Sequence, residues 1–159
     1  MANGSDSILG VDLMVIPNMV AHDASALDLV ARSRVLRQRL PGSDALEVTD
    51  LLTINSRENL AQALMLRLLT PRGSLAALGH ASYGSRLHEL IGRNKTDPLR
   101  NLCRAFILEV VAQEPRVEDQ AVEVTFHADE ETASSFVFTL AVKPRTGDAP
   151  IGLTLEVGL

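Results

Sequence analysis

The stretch LCRAFILEVVAQEPRVEDQAVEVTFH, residues 102–127, changes from a helical to a strand-like pattern of apolar residues. Its first half continues a helix that we predict to begin with Asp97 as the N-cap and Pro98 at the first helical position. Pro115 ends this helix, because proline has no amide proton for the helical hydrogen-bond ladder. Beyond it, alternate residues are apolar, as in a strand that buries one face. The stretch therefore predicts a helical layer next to a sheet layer.

Three C-terminal segments share the strand pattern: AVEVTFH (121–127), SFVFTLAV (135–142) and IGLTLEV (151–157). Turn-like connections separate them, so we predict that consecutive strands pair antiparallel. Each strand would bury one face, which apolar helices at 56–69 and 97–113 could cover. The predicted fold class is α+β, with a small antiparallel sheet of C-terminal strands packed against two to four helices. N-terminal strands could add to this sheet.

The chain before these helices is predicted to form an arm. Residues 1–7 are small and polar, and we predict them to be disordered. Residues 8–45 are interpreted as an N-terminal strand and helical arm, with the strand at 8–16 and the helix at 23–40. Residues 46–159 are interpreted as the main domain.

Four arginines fall in the second half of the predicted helix 23–40: Arg32, Arg34, Arg37 and Arg39. A helix dipole favours cations near the C-terminal end, so they are consistent with a solvated helix end. They are also consistent with a basic patch for an acidic partner. The sequence leaves both interpretations open.

Composition limits the classes of function. Of 159 residues, 46% are hydrophobic, which is consistent with one globular domain. A net charge of −5 gives no general attraction to nucleic acid or anionic lipid, and aromatic residues, at 3%, are too few for a base-stacking surface. No apolar run is long enough to cross a bilayer, and no signal peptide is evident. We expect a cytoplasmic chain without nucleic-acid or membrane partners.

Motifs for nucleotide binding, metal binding or nucleophilic catalysis are either absent from the sequence or lack the further motifs that such sites need. NKTD (94–97) matches the guanine-reading tetrapeptide of GTPases, but without a phosphate loop it is interpreted as a helix cap. The four histidines lack metal-ligand spacing, so no metal site and no cofactor is predicted. Cys103 falls in an apolar helical pattern, which favours a core residue over a nucleophile.

Four carboxylates could in principle supply the pair that glycoside hydrolysis needs: Glu89, Glu109, Glu114 and Glu118. That reaction requires one carboxyl group with a raised pKa facing a cleft. The sequence gives no sign of such a cleft, and we interpret these residues as surface carboxylates without enzymatic activity. Glu114 and Arg116 flank Pro115, and we predict that they stand at an exposed corner, where they could form charge-assisted bonds.

Three motifs in order carry a resemblance to a known family. They are NLAQALMLRLLTPRG (59–73), YGSRLHELI (83–91) and EPRV (114–117). Together they resemble the small baseplate wedge subunit, the "lysozyme-like" sheath initiator of contractile phage tails, tailocins, contractile injection systems and type VI secretion. The resemblance covers about residues 46–125 closely and the C-terminal strands in pattern only.

The resemblance implies partner-binding residues in two of these motifs. Glu114, Pro115 and Arg116 would dock on the helical bundle of the larger wedge subunits. Tyr83 and Gly84 are expected to take part in the same contacts. Where this family often has proline before the YG pair, this chain has Ser82, which implies a looser turn.

The last strand, 151–157, is expected at a sheet edge, with Glu156 as its only charge. An uncovered edge invites another chain to pair with it. The resemblance implies that the partner is the sheath subunit, which would add a strand. The expected contact residues are Ile151, Leu153, Thr154, Leu155, Glu156 and Val157.

The resemblance implies a structural role for the chain, in a baseplate that initiates sheath polymerisation and could also contact central tube or hub proteins. Assembly is expected in the cytoplasm, in a phage tail-like particle that is released or remains in the cell. Members of the family have carried lysozyme-like labels, so a peptidoglycan hydrolase stays open as an alternative. A soluble regulatory binding domain of the same fold is another.

Overall fold

The computed structural model describes residues 9–15, 31–36 and 46–159. Its C-terminal part is a three-stranded sheet, and two α-helices share one hydrophobic core with it. The α-helices and strands described are β1 (Val11–Leu13), β2 (Ala31–Leu36), β3 (Leu46–Leu51), β4 (Thr53–Asn55), α1 (Ser56–Leu69), α2 (Asp97–Ala112), β5 (Val117–Phe126), β6 (Ser135–Pro144) and β7 (Ile151–Gly158).

The C-terminal sheet has the order β5-β6-β7, and both pairings are antiparallel. Phe126 lies opposite Phe138, and Val142 lies opposite Ile151. In each strand, alternate side chains point to opposite faces of the sheet, and in β6 Val137, on the face opposite to Phe136 and Phe138, is buried as well. The predicted consecutive antiparallel pairing and the α+β class are therefore confirmed.

The core lies between this sheet and the two helices. Phe136 and Phe138 from β6, Leu64 from α1 and Ile107 from α2 are all 0% exposed. The ring of Phe126 lies 5.8 Å from that of Phe136, in an edge-to-face arrangement. Burial of one such side chain contributes about 1.5–3 kcal/mol, so the contacts between helices and sheet hold the two layers together.

Helix α2 begins one residue earlier than the sequence predicts. The N-cap is Thr96, whose side-chain oxygen accepts a hydrogen bond from Leu99 N at 3.3 Å. Asp97 is therefore the first helical residue and Pro98 the second, which corrects the predicted positions of both. The shift has a physical cause, because a threonine hydroxyl can cap the helix while Asp97 in the first turn still favours the dipole.

The sequence YGSRLHELIG at 83–92 predicts a short helix that Gly92 closes, and the structure has only a 3₁₀ turn there, Leu87–Leu90. Gly84 before it and Gly92 after it have φ values of +105° and +79°. Backbone in this left-handed region cannot continue a right-handed helix, so the helical segment stays short. A second 3₁₀ turn, Ala76–Leu78, lies in the preceding loop.

The N-terminal strands do not join the C-terminal sheet. Strand β1 pairs antiparallel with β4, and β2 pairs antiparallel with β3, each as a two-stranded sheet. The strand predicted at 8–16 is confirmed only for Val11–Leu13. Residues 1–7, predicted to be disordered, lie outside the described residues.

The helix predicted at 23–40 is wrong over residues 31–36, which form β2. Ala31 lies opposite Leu51 and Leu36 opposite Leu46, so β3 supplies the hydrogen-bond partner. A partner strand can outweigh a local helical spacing, because propensity is a weak preference. The argument from the helix dipole fails for Arg32 and Arg34, and the rest of the predicted helix lies outside the described residues.

Candidate protein-interaction site

The chain after α1 turns back on itself through hydrogen bonds to Ser85. Its hydroxyl donates to Leu68 O at 2.6 Å, and its amide donates to Thr70 O at 2.8 Å. Ser85 O accepts from Arg72 N at 2.8 Å. A Cβ on Gly84 would lie 2.5 Å from Thr70 O, so this close approach requires glycine. Gly84 is buried and shapes the turn.

Tyr83, next to this turn, lies under the guanidinium of Arg67. The Arg67 Cζ atom is 4.9 Å from the centre of the ring, within range of a cation–π contact. Arg67 Nη1 also donates to Gln113 O at 3.2 Å. Arg67 therefore brings together Tyr83 and the turn after α2, two of the three sequence-predicted parts of the site.

Glu114 and Arg116 form an ion pair within the turn that Pro115 makes. Arg116 Nε donates to Glu114 Oε1 at 2.6 Å, and Nη2 donates to Oε2 at 3.1 Å. Burial raises the pKa of Glu114, but the hydrogen bonds and charge of Arg116 outweigh burial and leave that pKa below its usual value.

The predicted exposed corner is wrong for these two side chains. The side chain of Glu114 is 4% exposed and that of Arg116 is 23% exposed. Arg116 Nη1 donates to Leu9 O at 3.1 Å, so the N-terminal segment lies against the turn. Because Arg116 and Leu9 are 107 residues apart, the sequence around Pro115 gives no sign of this contact. Pro115 itself is exposed.

Sequence reasoning missed three residues that organise this region: Arg67, Asn59 and Gln62 of α1. Asn59 is 5% exposed and Gln62 is 1% exposed. Two amide residues three apart in a helix with an apolar face are an available signal, because a buried amide must find hydrogen-bond partners. Arg67 has no such signal, because it falls at the same helical spacing as the apolar residues of α1.

The other predicted part of the site is β7. Ile151 and Leu153 are buried, and Leu155 and Val157 are half-buried, whereas Thr154 and Glu156 are exposed. No described strand pairs with the outer edge of β7. A cleft of about 830 Å³ borders the start of the strand; its lining residues are Asn55, Ser56, Arg57, Glu58, Ala61, Glu130, Ile151, Gly152, Leu153 and Thr154.

The other three candidate carboxylates for glycoside hydrolysis are each in an ion pair. Glu89 contacts Arg86 at 2.8 Å, Glu118 contacts Lys143 at 2.9 Å, and Glu109 contacts Arg72. The side-chain hydrogen bond from Arg86 lowers the pKa of Glu89. A general acid needs a raised pKa, so neither Glu89 nor Glu114 has the electrostatic setting of one.

The described part of the chain holds no group of three His, Cys, Asp or Glu side chains that could bind a metal ion. Among the helices described, none is long and apolar enough to cross a membrane.

No protein-family model and no curated protein matches the sequence. Among solved structures, a crystal structure of a Geobacter sulfurreducens protein provisionally named a tail lysozyme is similar. The match has a TM-score of 0.54 at 19% sequence identity and covers 64% of this chain and 89% of that chain. At this identity the likeness concerns the fold alone. Over the matched part, the chain therefore shares its fold with that Geobacter protein.

Proposed function

We propose that this chain is a structural baseplate subunit of a contractile tail or contractile injection system. It docks on the larger wedge subunits and initiates sheath polymerisation. The observation that carries the proposal is the outer edge of β7, which no strand in the described part of the chain covers, beside its cleft. The fold shared with a protein named for a tail, together with the three motifs, supports this setting.

The open edge of β7 has main-chain groups available for a further strand. Leu159 N donates to Ser134 O at 2.7 Å, which directs the main-chain groups of Leu159 towards the β6 side. Successive residues of a strand point these groups to alternate sides. Thr154 and Glu156 therefore point theirs to the open edge. A strand of the sheath subunit could pair there by β-augmentation.

The cleft beside β7 supports the same proposal. Ile151 and Leu153 are buried in β7, and Ala61 is buried in α1. Apolar side chains of an added strand would find apolar partners there, and the charged residues Arg57, Glu58 and Glu130 also line the cleft. The sheath strand is therefore expected to be apolar on one face.

Docking on the wedge subunits is proposed to involve the surface around Pro115 and Tyr83. Pro115 is exposed and Tyr83 is half-buried. Arg67 holds Tyr83, and the Glu114–Arg116 pair holds the turn. In this proposal the ion pair keeps the docking surface rigid. Few of the N–H donors of Arg116 reach the partner.

Paired proline substitutions test sheath initiation. Thr154→Pro with Glu156→Pro removes two outward amide donors while the donors that face β6 stay in place. The matched control, Thr154→Val with Glu156→Val, keeps both amides and changes only the side chains. The proposal expects the proline variant to fold and join baseplates without seeding sheath, and the valine variant to seed it. Sheaths of normal length on proline-variant baseplates would overturn the proposal.

We also propose that the chain has no enzymatic activity. The peptidoglycan hydrolase alternative has support in the name of the similar Geobacter protein. The lowered pKa of Glu114 and its pairing with Arg116 argue against a general acid at that position. Purified chain is expected to leave peptidoglycan intact. Reproducible hydrolysis that Glu114→Gln abolishes in a folded variant would establish the alternative.

A further inference from the structure

The apolar face of β7 is covered over the first half of the strand and only partly covered over the second. In the first half, Ile151 and Leu153 are buried, and the N-terminal part of α1 borders them across the cleft. The apolar residues of the second half point to the same face but are only half-buried; they are Leu155, Val157 and Leu159. These three side chains therefore lack a full cover within the described part of the chain.

The outer edge of β7 has none of the usual features that keep another strand from pairing with an edge. The strand contains no lysine and no proline, and its register with β6 is regular from Ile151 to Gly158. No strand in the described ranges pairs with this edge. Such an edge accepts a strand with the same alternation of apolar residues, and β7 itself has that alternation.

We propose that β7 pairs antiparallel with β7 of a second copy of the chain, about a two-fold axis at Leu155. Because Thr154 and Glu156 point their main-chain groups outward, they pair with each other across such an axis. The axis at Leu155 places Thr154 of one copy opposite Glu156 of the other and pairs the whole of residues 151–159. An axis at Glu156 would instead place two like charges opposite each other, which is unfavourable.

The same axis brings the partly covered half of one strand to the cleft of the other copy. Val157 of the second copy would lie opposite Leu153, and Leu159 of the second copy opposite Ile151, where the cleft of about 830 Å³ lies. By symmetry each copy fills the cleft of the other, and each α1 helps to cover the end of the opposite β7. This mutual fit within one strand and its cleft selects a second copy as the occupant.

The dimer goes beyond the proposed baseplate function and does not depend on it, because it stands on the edge and the cleft alone. It would occupy the edge that we propose for the sheath strand. A sheath strand would then have to displace the second copy, so the strand-accepting edge of the chain alone in solution is covered.

A disulfide on the two-fold axis tests the pairing. Across this edge Leu155 would face Leu155 of the second copy as a non-hydrogen-bonded pair, with Cα atoms about 4.5 Å apart, which permits a disulfide in Leu155→Cys. Val157→Cys is the matched control, because Val157 is also half-buried on the same face. Its two Cα atoms would lie roughly 14 Å apart, too far for a disulfide. Cys103 is buried, so its thiol does not compete.

Folded full-length chains of both variants are oxidised mildly, and the linked dimer is measured on non-reducing gels. We expect roughly tenfold or more linked dimer from Leu155→Cys than from Val157→Cys, because only the first pair is held together at high effective concentration. Equal yields from the two variants overturn the proposal.

Sedimentation of the unmodified chain tests the dimer without a new cysteine. The expected result is a mass that rises from monomer to dimer with concentration. Thr154→Pro with Glu156→Pro should stay monomeric, since it lacks two outward amides, and Thr154→Val with Glu156→Val should still form the dimer. A wild-type chain that is monomeric at every concentration, or a proline variant that dimerises like the wild type, overturns the proposal. Because no sheath is present, either result leaves sheath initiation to its own test.

Discussion

Arg116 binds Glu114 at two points, with Nε 2.6 Å from Oε1 and Nη2 3.1 Å from Oε2. A third donor of the same guanidinium, Nη1, reaches Leu9 O. One arginine thus connects the end of α2, the start of β5 and the N-terminal segment. The Glu114–Arg116 pair is thus mainly a contact within the chain. It can affect a partner surface only through the shape of the turn that it holds in place.

Removal of Arg116 is therefore expected to destabilise the domain. An exposed ion pair contributes only ~0–1 kcal/mol, whereas loss of one partner from a buried pair costs ~3–5 kcal/mol. Because Arg116 keeps some exposure, we expect Arg116→Ala to lower the free energy of unfolding by about 2–3 kcal/mol in urea titrations. Arg116→Lys should recover only part of this, since lysine cannot make the two-point contact.

Arg93→Ala supplies the control for this experiment, because Arg93 is exposed. It is expected to change the unfolding free energy by less than about 0.5 kcal/mol. Equal stabilities of the Arg116→Ala chain and the wild type would show that Glu114 does not need its partner.

Glu131 is expected to make stability depend on pH. Its side chain is 1% exposed and contacts Lys95 at 2.9 Å and Arg100 at 2.6 Å. Burial raises its pKa, but the hydrogen bonds and charges of these two cations outweigh burial and leave the pKa below the ordinary 4.5. The contribution of ionised Glu131 to the stability of the fold is therefore complete above about pH 5. It is lost as the pH falls through the folded-state pKa of this carboxyl group.

Glu131→Gln should lower stability at pH 7 by about 2–3 kcal/mol and flatten the loss of stability between pH 5 and pH 3. Urea midpoints across this range measure both effects. A variant as acid-sensitive as the wild type would exclude Glu131 as a source of the pH dependence. Glu114, with its pKa also lowered, is expected to show the same sign.

Gly84→Ala is expected to cost more than Gly79→Ala. Both glycines have positive φ, +105° and +84°, so alanine strains either backbone. At Gly79 nothing lies within 4 Å of a new Cβ, whereas at Gly84 the carbonyl oxygen of Thr70 lies at 2.5 Å. We expect about 1 kcal/mol for Gly79→Ala and roughly 2–4 kcal/mol for Gly84→Ala in thermal or urea unfolding. Equal losses of stability in the two variants would contradict the close approach of Gly84 to the carbonyl oxygen of Thr70.

Cys103 is expected to stay unreactive in the folded chain. It is 0% exposed, which confirms the prediction of a core residue, and burial raises the pKa of its thiol to about 12. Alkylation at pH 8 should therefore follow unfolding of the domain, since the thiolate is the reactive species. Rapid modification of the folded protein, measured by mass spectrometry, would contradict this burial.

The sequence alone determined the layers of the C-terminal domain. The period of two in β5, β6 and β7 and the apolar stripes of α1 and α2 are local properties of the chain, and a sheet with one apolar face needs a cover. Proline at 115 set the end of α2 for the same local reason.

Only the tertiary structure decided three features that depend on contacts between separate segments of the chain. Residues 31–36 form a strand because β3 pairs with them, against their helical spacing. Glu114 is buried because Arg116, itself bonded to Leu9, lies beside it. Asn59 and Gln62 are satisfied by the main chain of residues 9–15. Periodicity reports which face of an element is apolar, whereas the partner that covers a buried polar group is set by folding of the whole chain.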